Sequence, residues 1–116
     1  MNPETFVSRI RSAVVDQNLA TYRELFESTS PDAANDPYWK RALTLYKALS
    51  EPQRTVLLEI MRQASVDSVS NIFGILDGSS TLDGAQENFV LTSNADNRKI
   101  NGQLQDLFLG ADENGR

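Results

Sequence analysis

Residues 50–78, SEPQRTVLLEIMRQASVDSVSNIFGILDG, carry a helix start, a helical apolar pattern and a helix stop. Ser50 and Gln53 have the spacing of a capping box, with a proline in the first turn. Apolar residues then recur at helical spacing until Gly78, a residue type that closes helices in the left-handed conformation. We interpret this stretch as the fourth helix of the chain. From Ser65 the pattern fits either a fifth helix or a bent continuation of the fourth.

Three helices are predicted before this stretch. The first begins with Asn2 as the cap and a proline at the first helical position. The second begins at Thr21, which has capping-box spacing with Glu24. The turn-forming loop STSPDAANDP, residues 28–37, then leads to the third helix, capped by Asp36.

The apolar period changes after residue 84. NFVLTS alternates at the period of a strand, SNADN supplies turn residues, and RKIN fits a returning strand, so a β-hairpin is predicted. QLQDLFL then forms a short terminal element. The predicted fold class is α+β, mainly α: four to five helices packed as a small bundle with a C-terminal β-hairpin. We expect one domain over residues 1–116, helical over 1–77, with the hairpin and terminal element over 85–109 and a frayed tail over 110–116.

The composition excludes several kinds of catalytic site. The 116 residues include no cysteine and no histidine, which removes thiol and histidine nucleophile systems and the common zinc sites. A carboxylate with a tyrosine or a hydroxyl remains, such as Glu24 with Tyr22 or Asp106 with Ser80, but nothing in the sequence brings either pair together. We therefore predict a protein that is not an enzyme and that has no cofactor.

The stretch ILDGSSTLDG, residues 75–84, and its surroundings contain acids and glycines of the kind found in cation-binding and phosphate-binding loops. A calcium-binding EF-hand loop counted from Asp77 would place Leu82 where glycine is required and Asn88 where glutamate is required. A looser cation site would use Asp77, Asp83 and Glu87. A phosphate-binding loop needs a lysine and a glycine spacing that this stretch lacks. A helix end followed by an Asp-Gly turn explains the same residues, and no metal site is predicted.

The negative charge is confined to the C-terminal part of the chain. The formal net charge is -5. Residues 1–65 hold eight basic and eight acidic residues, whereas residues 66–116 hold three basic and eight acidic residues. An acidic surface attracts basic partners and repels nucleic acid. The sequence therefore predicts a partner-binding surface that includes Asp77, Asp83, Glu87 and Asp96.

The alternative hypothesis is a nucleic-acid-associated regulator that uses helices three to five. The third helix carries an aromatic and basic mixture typical of nucleic-acid surfaces. The residues of this mixture are Tyr38, Trp39, Lys40, Arg41, Tyr46 and Lys47. The fourth and fifth predicted helices have the layout of a helix-turn-helix domain, but residues 66–76 include no cation to contact DNA.

IFGILDG at residues 72–78 and INGQLQDLF at residues 100–108 resemble paired motifs of small bacterial domains of uncharacterised function. The resemblance covers about the last third of the chain. It implies a bacterial origin and carries no catalytic assignment.

Together these observations predict a small acidic cytoplasmic protein that binds another protein, with an immunity-like or antitoxin-like role against a basic toxin as one form. No apolar run approaches the roughly 20 residues of a membrane-spanning helix, so no membrane contact is expected. A homodimer is compatible with the sequence, and nucleic acid is a less favoured partner.

Overall fold

The computed structural model describes residues 1–84 and 87–115, and the side chains of residues 1–84 and 87–112. Its longest element is the helix Glu51–Asp77, named α4 below, which extends over 27 residues. The predicted capping box is confirmed, since Ser50 Oγ accepts from the Gln53 N–H at 3.3 Å and Gln53 Oε1 accepts from the Ser50 N–H at 2.9 Å. Gly78 ends the helix with φ of 84°. The helix continues through Ser65, so there is no separate fifth helix at this point.

The first 28 residues form one continuous helical rod. It consists of α1 (Pro3–Ile10), a π-helical segment (Arg11–Asp16) and α2 (Gln17–Ser28). The Asn2 cap is confirmed by a 2.7 Å hydrogen bond from the Thr5 N–H. The predicted helix start at Thr21 is wrong, because the Thr21 hydroxyl donates to the Gln17 carbonyl inside the helix at 2.9 Å. No glycine or proline lies between residues 4 and 30 to interrupt the rod.

The third helix is α3 (Pro37–Ala48), capped by Asp36, whose carboxylate accepts from the Tyr38 N–H at 2.8 Å. The loop before it contains one 3-10 turn, Pro31–Ala33. Leu49 and Ser50 join α3 to α4. Arg54 fixes this corner by donating to the Tyr46 and Lys47 carbonyls at the end of α3, at 2.9 and 3.1 Å. Its guanidinium also lies 4.8 Å from the centre of the Tyr46 ring.

The predicted β-hairpin and with it the predicted α+β class are wrong, because the described elements are all helical. Residues 1–84 and 87–115 contain no strand, and only an isolated antiparallel bridge joins Thr92 to Lys99. The two segments do approach each other, since the Ile100 N–H donates to the Leu91 carbonyl at 2.8 Å. The Leu91 N–H and the Phe89 carbonyl, which a strand would pair with a neighbouring backbone, bind the side chain of Asn101 instead. Residues 85 and 86 of the predicted hairpin lie outside the described residues.

The last helix, α5 (Leu104–Gly115), extends over most of the segment predicted as a frayed tail. It packs against α4 and α1. Asp112 is 5% exposed, which ties this segment to the rest of the molecule. Residue 116 of the predicted tail lies outside the described residues.

The helices enclose two separate apolar clusters along α4. The first cluster is formed by buried residues of the rod, the second half of α4 and α5, and it includes Val15, Val66, Leu104 and Phe108. The second cluster is formed by α2, α3 and the first half of α4, with Phe26, Leu43, Tyr46 and Leu58 buried. The radius of gyration is 17.8 Å, whereas a compact domain of this length has about 13 Å. The described part of the chain is therefore elongated.

None of the described helices combines the length and the apolar character that a bilayer-spanning segment requires.

Candidate functional site

The connector (residues 78–84 and 87–103), which lies between α4 and α5, is held to the end of α4 by one buried asparagine. Asn101 is 8% exposed, and its Oδ1 accepts from the Leu91 N–H at 2.8 Å. Its Nδ2 donates to the Phe89 carbonyl at 2.8 Å and to the Leu76 carbonyl at the end of α4. One side chain therefore satisfies backbone groups both within the connector and at the end of α4, which holds the two together without a sheet.

Asp77 links the end of α4 to the start of α5. Its Oδ1 accepts from the Gly102 N–H at 2.7 Å, and its Oδ2 accepts from the Gln105 N–H at 2.8 Å. The carboxylate thus occupies the N-terminus of α5, where free amide groups and the helix dipole stabilise a negative charge. Both oxygens of this predicted partner-binding residue have structural hydrogen bonds.

Asp96 is also bound within the chain. Its Oδ1 accepts from the Arg98 N–H at 3.1 Å, and its Oδ2 lies 3.1 Å from the N-terminal ammonium group of Met1. The Arg98 N–H and then the ammonium group hold the pKa of the Asp96 carboxyl below its usual value. The ion pair is exposed, so its contribution to the stability is small.

Asp83 and Glu87, the two other predicted partner-binding residues, are exposed. Asp83 lies in a turn and has a positive φ of 50°. Large apolar side chains of the connector are exposed near them: Leu82 by 52%, Phe89 by 39% and Val90 by 67%. Carboxylates and large apolar groups therefore share the exposed surface of a segment whose backbone is anchored by Asn101.

The described residues do not form a metal site. No group of three or more carboxylates in residues 1–84 and 87–112 could hold an ion. The looser cation site predicted as an alternative at Asp77, Asp83 and Glu87 therefore has no geometric support. Asp77 also directs both oxygens to backbone amides.

A buried ion-pair network holds the C-terminal half of α5, which the sequence analysis missed. Asp112 Oδ1 accepts from Arg11 at 2.7 Å and from Arg62 at 2.8 Å. Arg11 also donates to the Phe108 carbonyl, and its guanidinium lies 4.2 Å from the centre of the Phe108 ring. Leu104, Phe108 and Asp112 follow one another at intervals of four residues, and this spacing indicates that Asp112 lies on the same face of a helix as two core residues. This network joins the rod, α4 and α5.

A cleft of about 330 Å³ between α2, α3 and α4 has a lining of balanced charge. The lining includes three arginines, Arg23, Arg54 and Arg62, and three glutamates, Glu27, Glu51 and Glu59. Arg54 caps α3 and Arg62 binds Asp112, so two of the three cations already have structural partners. The cleft therefore gives no charge preference for a ligand.

The aromatic and basic residues of α3 are divided between the core and the surface. Tyr46 is buried and Trp39 is half-buried, with its ring 5.9 Å from the Tyr22 ring. Tyr38 is 57% exposed, and Lys40, Arg41 and Lys47 are exposed. The helix-turn-helix layout considered for residues 49–76 is absent, because α4 is continuous there.

The described contacts do not bring together Glu24 with Tyr22 or Asp106 with Ser80, the two pairs that catalysis would need. Tyr22 stacks among aromatic rings at the surface, while Glu24 is exposed on α2. The Ser80 N–H donates to the Gly74 carbonyl, and Asp106 is exposed on α5. No hydrogen bond joins either pair within residues 1–84 and 87–112.

Comparisons of the chain with protein-family models, with curated proteins and with solved structures found no match.

Proposed function

We propose that this chain is a protein-binding module without catalytic activity, and that the connector contacts a partner protein with a basic surface. The single observation that carries the proposal is the exposure of Phe89 and Val90 beside Glu87 on an anchored backbone. Protein interfaces combine buried apolar contacts with polar groups at the rim, and anchoring the backbone in advance reduces the entropy lost on binding.

The charge pattern supports a basic partner. Residues 77–97 contain four acids and no basic residue. Asp77 and Asp96 have partners within the chain, so Asp83 and Glu87 are the acids that the proposal uses. Complementary charge increases the association rate and makes it dependent on salt. Inhibition of a basic toxin by an immunity or antitoxin protein of the cytoplasm is one form of this function, and the absence of cysteine suits that compartment.

Affinity capture with matched variants tests the proposal. The tagged wild-type chain, the double variant Asp83→Lys/Glu87→Lys and the variant Phe89→Ser are used to capture proteins from nuclease-treated lysate of the source organism. Glu24→Lys/Asp32→Lys, which reverses two exposed acids outside the connector, is the control. We expect one protein to be retained by the wild type and by the control, and to be lost with both connector variants. Retention by all four chains would contradict the proposal.

The alternative, a nucleic-acid-associated regulator, has one observation in its favour. On α3, Tyr38 is exposed beside Lys40 and Arg41, and an exposed aromatic ring near cations can stack on a nucleic-acid base. A gel-shift assay with single-stranded and double-stranded nucleic acid tests this function. Binding that is abolished by Lys40→Ala/Arg41→Ala/Lys47→Ala would support it, and no shift with the wild type would contradict it.

A further inference from the structure

One face of α4 has large apolar side chains that nothing in the described chain covers. Ile60 is 60% exposed and Ile72 is 56% exposed. Between them, Ala64 and Ser68 are also exposed and continue the same line at intervals of four residues. The Ser68 hydroxyl donates to the Ala64 carbonyl at 2.8 Å, so this side chain presents no unpaired donor. We name Ile60, Ala64, Ser68 and Ile72 the α4 ridge.

The α4 ridge itself contains no charged residue, and one exposed acid, Asp67, borders it. At about 100° of rotation per residue, Glu59 and Arg62 lie on the far side of the helix from Ala64 and Ser68, whereas Asp67 follows Ala64 by three residues. The Asp67 carboxylate accepts from the Gln63 side chain at 2.9 Å. A ridge of uncharged residues with exposed isoleucines is typical of a surface that another helix covers.

The order of residues along this face is symmetric about Val66. Ile60 and Ile72 each lie six residues from Val66, and Ala64 and Ser68 each lie two residues from it. An antiparallel copy of α4 would therefore set Ile60 against the second copy's Ile72, and Ala64 against the second copy's Ser68. The contact would be self-complementary, as a two-fold interface requires, and the small central residues would let the two helices approach closely.

We propose that the α4 ridge binds the same ridge of a second copy of this chain in an antiparallel, two-fold symmetric dimer. The charge distribution decides the direction of pairing. The basic helix α3 lies at the N-terminal end of α4, and the acidic segment, residues 77–97, begins at its C-terminal end. Antiparallel pairing brings α3 of one copy toward the acidic end of the other. Parallel pairing would bring the two acidic ends together, which costs free energy.

The length of the face sets the strength of the dimer. From Leu57 to Ile75 the helix extends over about 27 Å. One helix face of this length supplies on the order of half of the roughly 800 Å² per partner that standard interfaces bury. The dimer is therefore a reversible one, with a dissociation constant in the micromolar range, and it uses a surface separate from Phe89 and Val90 of the proposed function.

Sedimentation velocity between about 1 and about 100 µM tests the dimer, because a micromolar dissociation constant lies within this range. The wild type shifts from a 12.9 kDa monomer to a dimer as its concentration increases. Ile72→Glu places a charge in the apolar contact and remains monomeric. Val90→Glu is the matched control, since it also charges an exposed apolar residue, but in the connector. It dimerises like the wild type even if it loses the partner of the proposed function.

Disulfide cross-linking tests the direction of pairing, because the chain has no cysteine of its own. An equal mixture of Ala64→Cys and Ser68→Cys forms a linked dimer under mild oxidation. Either variant alone forms little, because its two sulfurs are offset along the helices beyond disulfide reach. A wild type that stays monomeric, dimers of Ile72→Glu as strong as those of the wild type, or equally fast linking of Ala64→Cys alone would each overturn the proposal.

Discussion

Asn101 is the residue on which the order of the connector depends most. Its amide group joins the end of α4 to the backbone at Phe89 and Leu91, and the side chain is almost fully buried. A buried amide with three backbone partners is more costly to remove than a surface one, because its partners then lose hydrogen bonds without gaining water. Phe89 and Val90, the exposed apolar residues of the proposed partner surface, lie within this anchored segment.

Asn101→Ala is expected to lower the free energy of unfolding by about 2 kcal/mol. Amide hydrogen exchange at Leu91, whose N–H is bound to Asn101 Oδ1, should become faster than in the wild type. Urea unfolding and exchange measured by mass spectrometry would check both effects. Asn94→Ala, at an exposed turn position, is the control and should leave both unchanged. Equal stabilities of the two variants would show that Asn101 does not anchor the connector.

The roles of single polar residues could be predicted only where their partners are near in sequence. The caps at Asn2, Asp36 and Ser50 each bind an amide two or three residues away, so spacing alone identified them. Asp77 binds amides 25 and 28 residues away, and Asp112 binds Arg11 across 101 residues. Such partners depend on how the helices pack. For this reason the sequence predicts Asp77 to be a partner-binding residue, whereas its carboxylate binds amide groups at the start of α5.

At the scale of the elements, the end of α4 and the interior of α5 place opposite demands on glycine. Gly78 adopts a left-handed conformation with φ of 84°, and its position offers open space for a Cβ. Gly110 lies within α5, also with nothing within 4 Å of an added Cβ. The same substitution should therefore have opposite effects at the two positions.

Gly78→Ala should lower the free energy of unfolding by about 1 kcal/mol, because a Cβ is strained in the left-handed region. Gly110→Ala should increase it by about 0.5 to 1 kcal/mol, because alanine loses less conformational freedom in a helix. Thermal and urea unfolding of the two variants would check the signs. A loss of stability in Gly110→Ala would indicate that α5 does not extend through residue 110 as described.

The helices could be predicted from the sequence more fully than the segments between them. Caps predict the starts of α3 and α4, and Gly78 predicts the end of α4, because these signals are local. The rod over residues 3–28 was divided wrongly because a threonine-glutamate pair has the same spacing inside a helix as at its start. The alternation in residues 88–93 fits a strand. A strand also needs a neighbouring backbone to pair with, and here the side chain of Asn101 binds the backbone groups of Phe89 and Leu91 instead.

At the scale of the whole molecule, α4 acts as a spine that separates two apolar clusters and leaves one face uncovered. The first cluster anchors the connector through α5, and the second holds α3 at the opposite end. This separation allows the connector to bind a partner protein while the α4 ridge pairs with a second copy. The charge asymmetry, which the positions of the charged residues in the sequence show, gives both contacts a dependence on salt.

The measurement that tests the central claim most directly is the association rate constant of the captured partner with the wild type and with Asp83→Lys/Glu87→Lys, at low and at physiological salt. Electrostatic attraction through the connector predicts that the wild type associates on the order of 10-fold faster than the variant at low salt. The same attraction predicts that added salt slows the wild type more than the variant. Equal rate constants with equal dependence on salt would contradict recognition through Asp83 and Glu87.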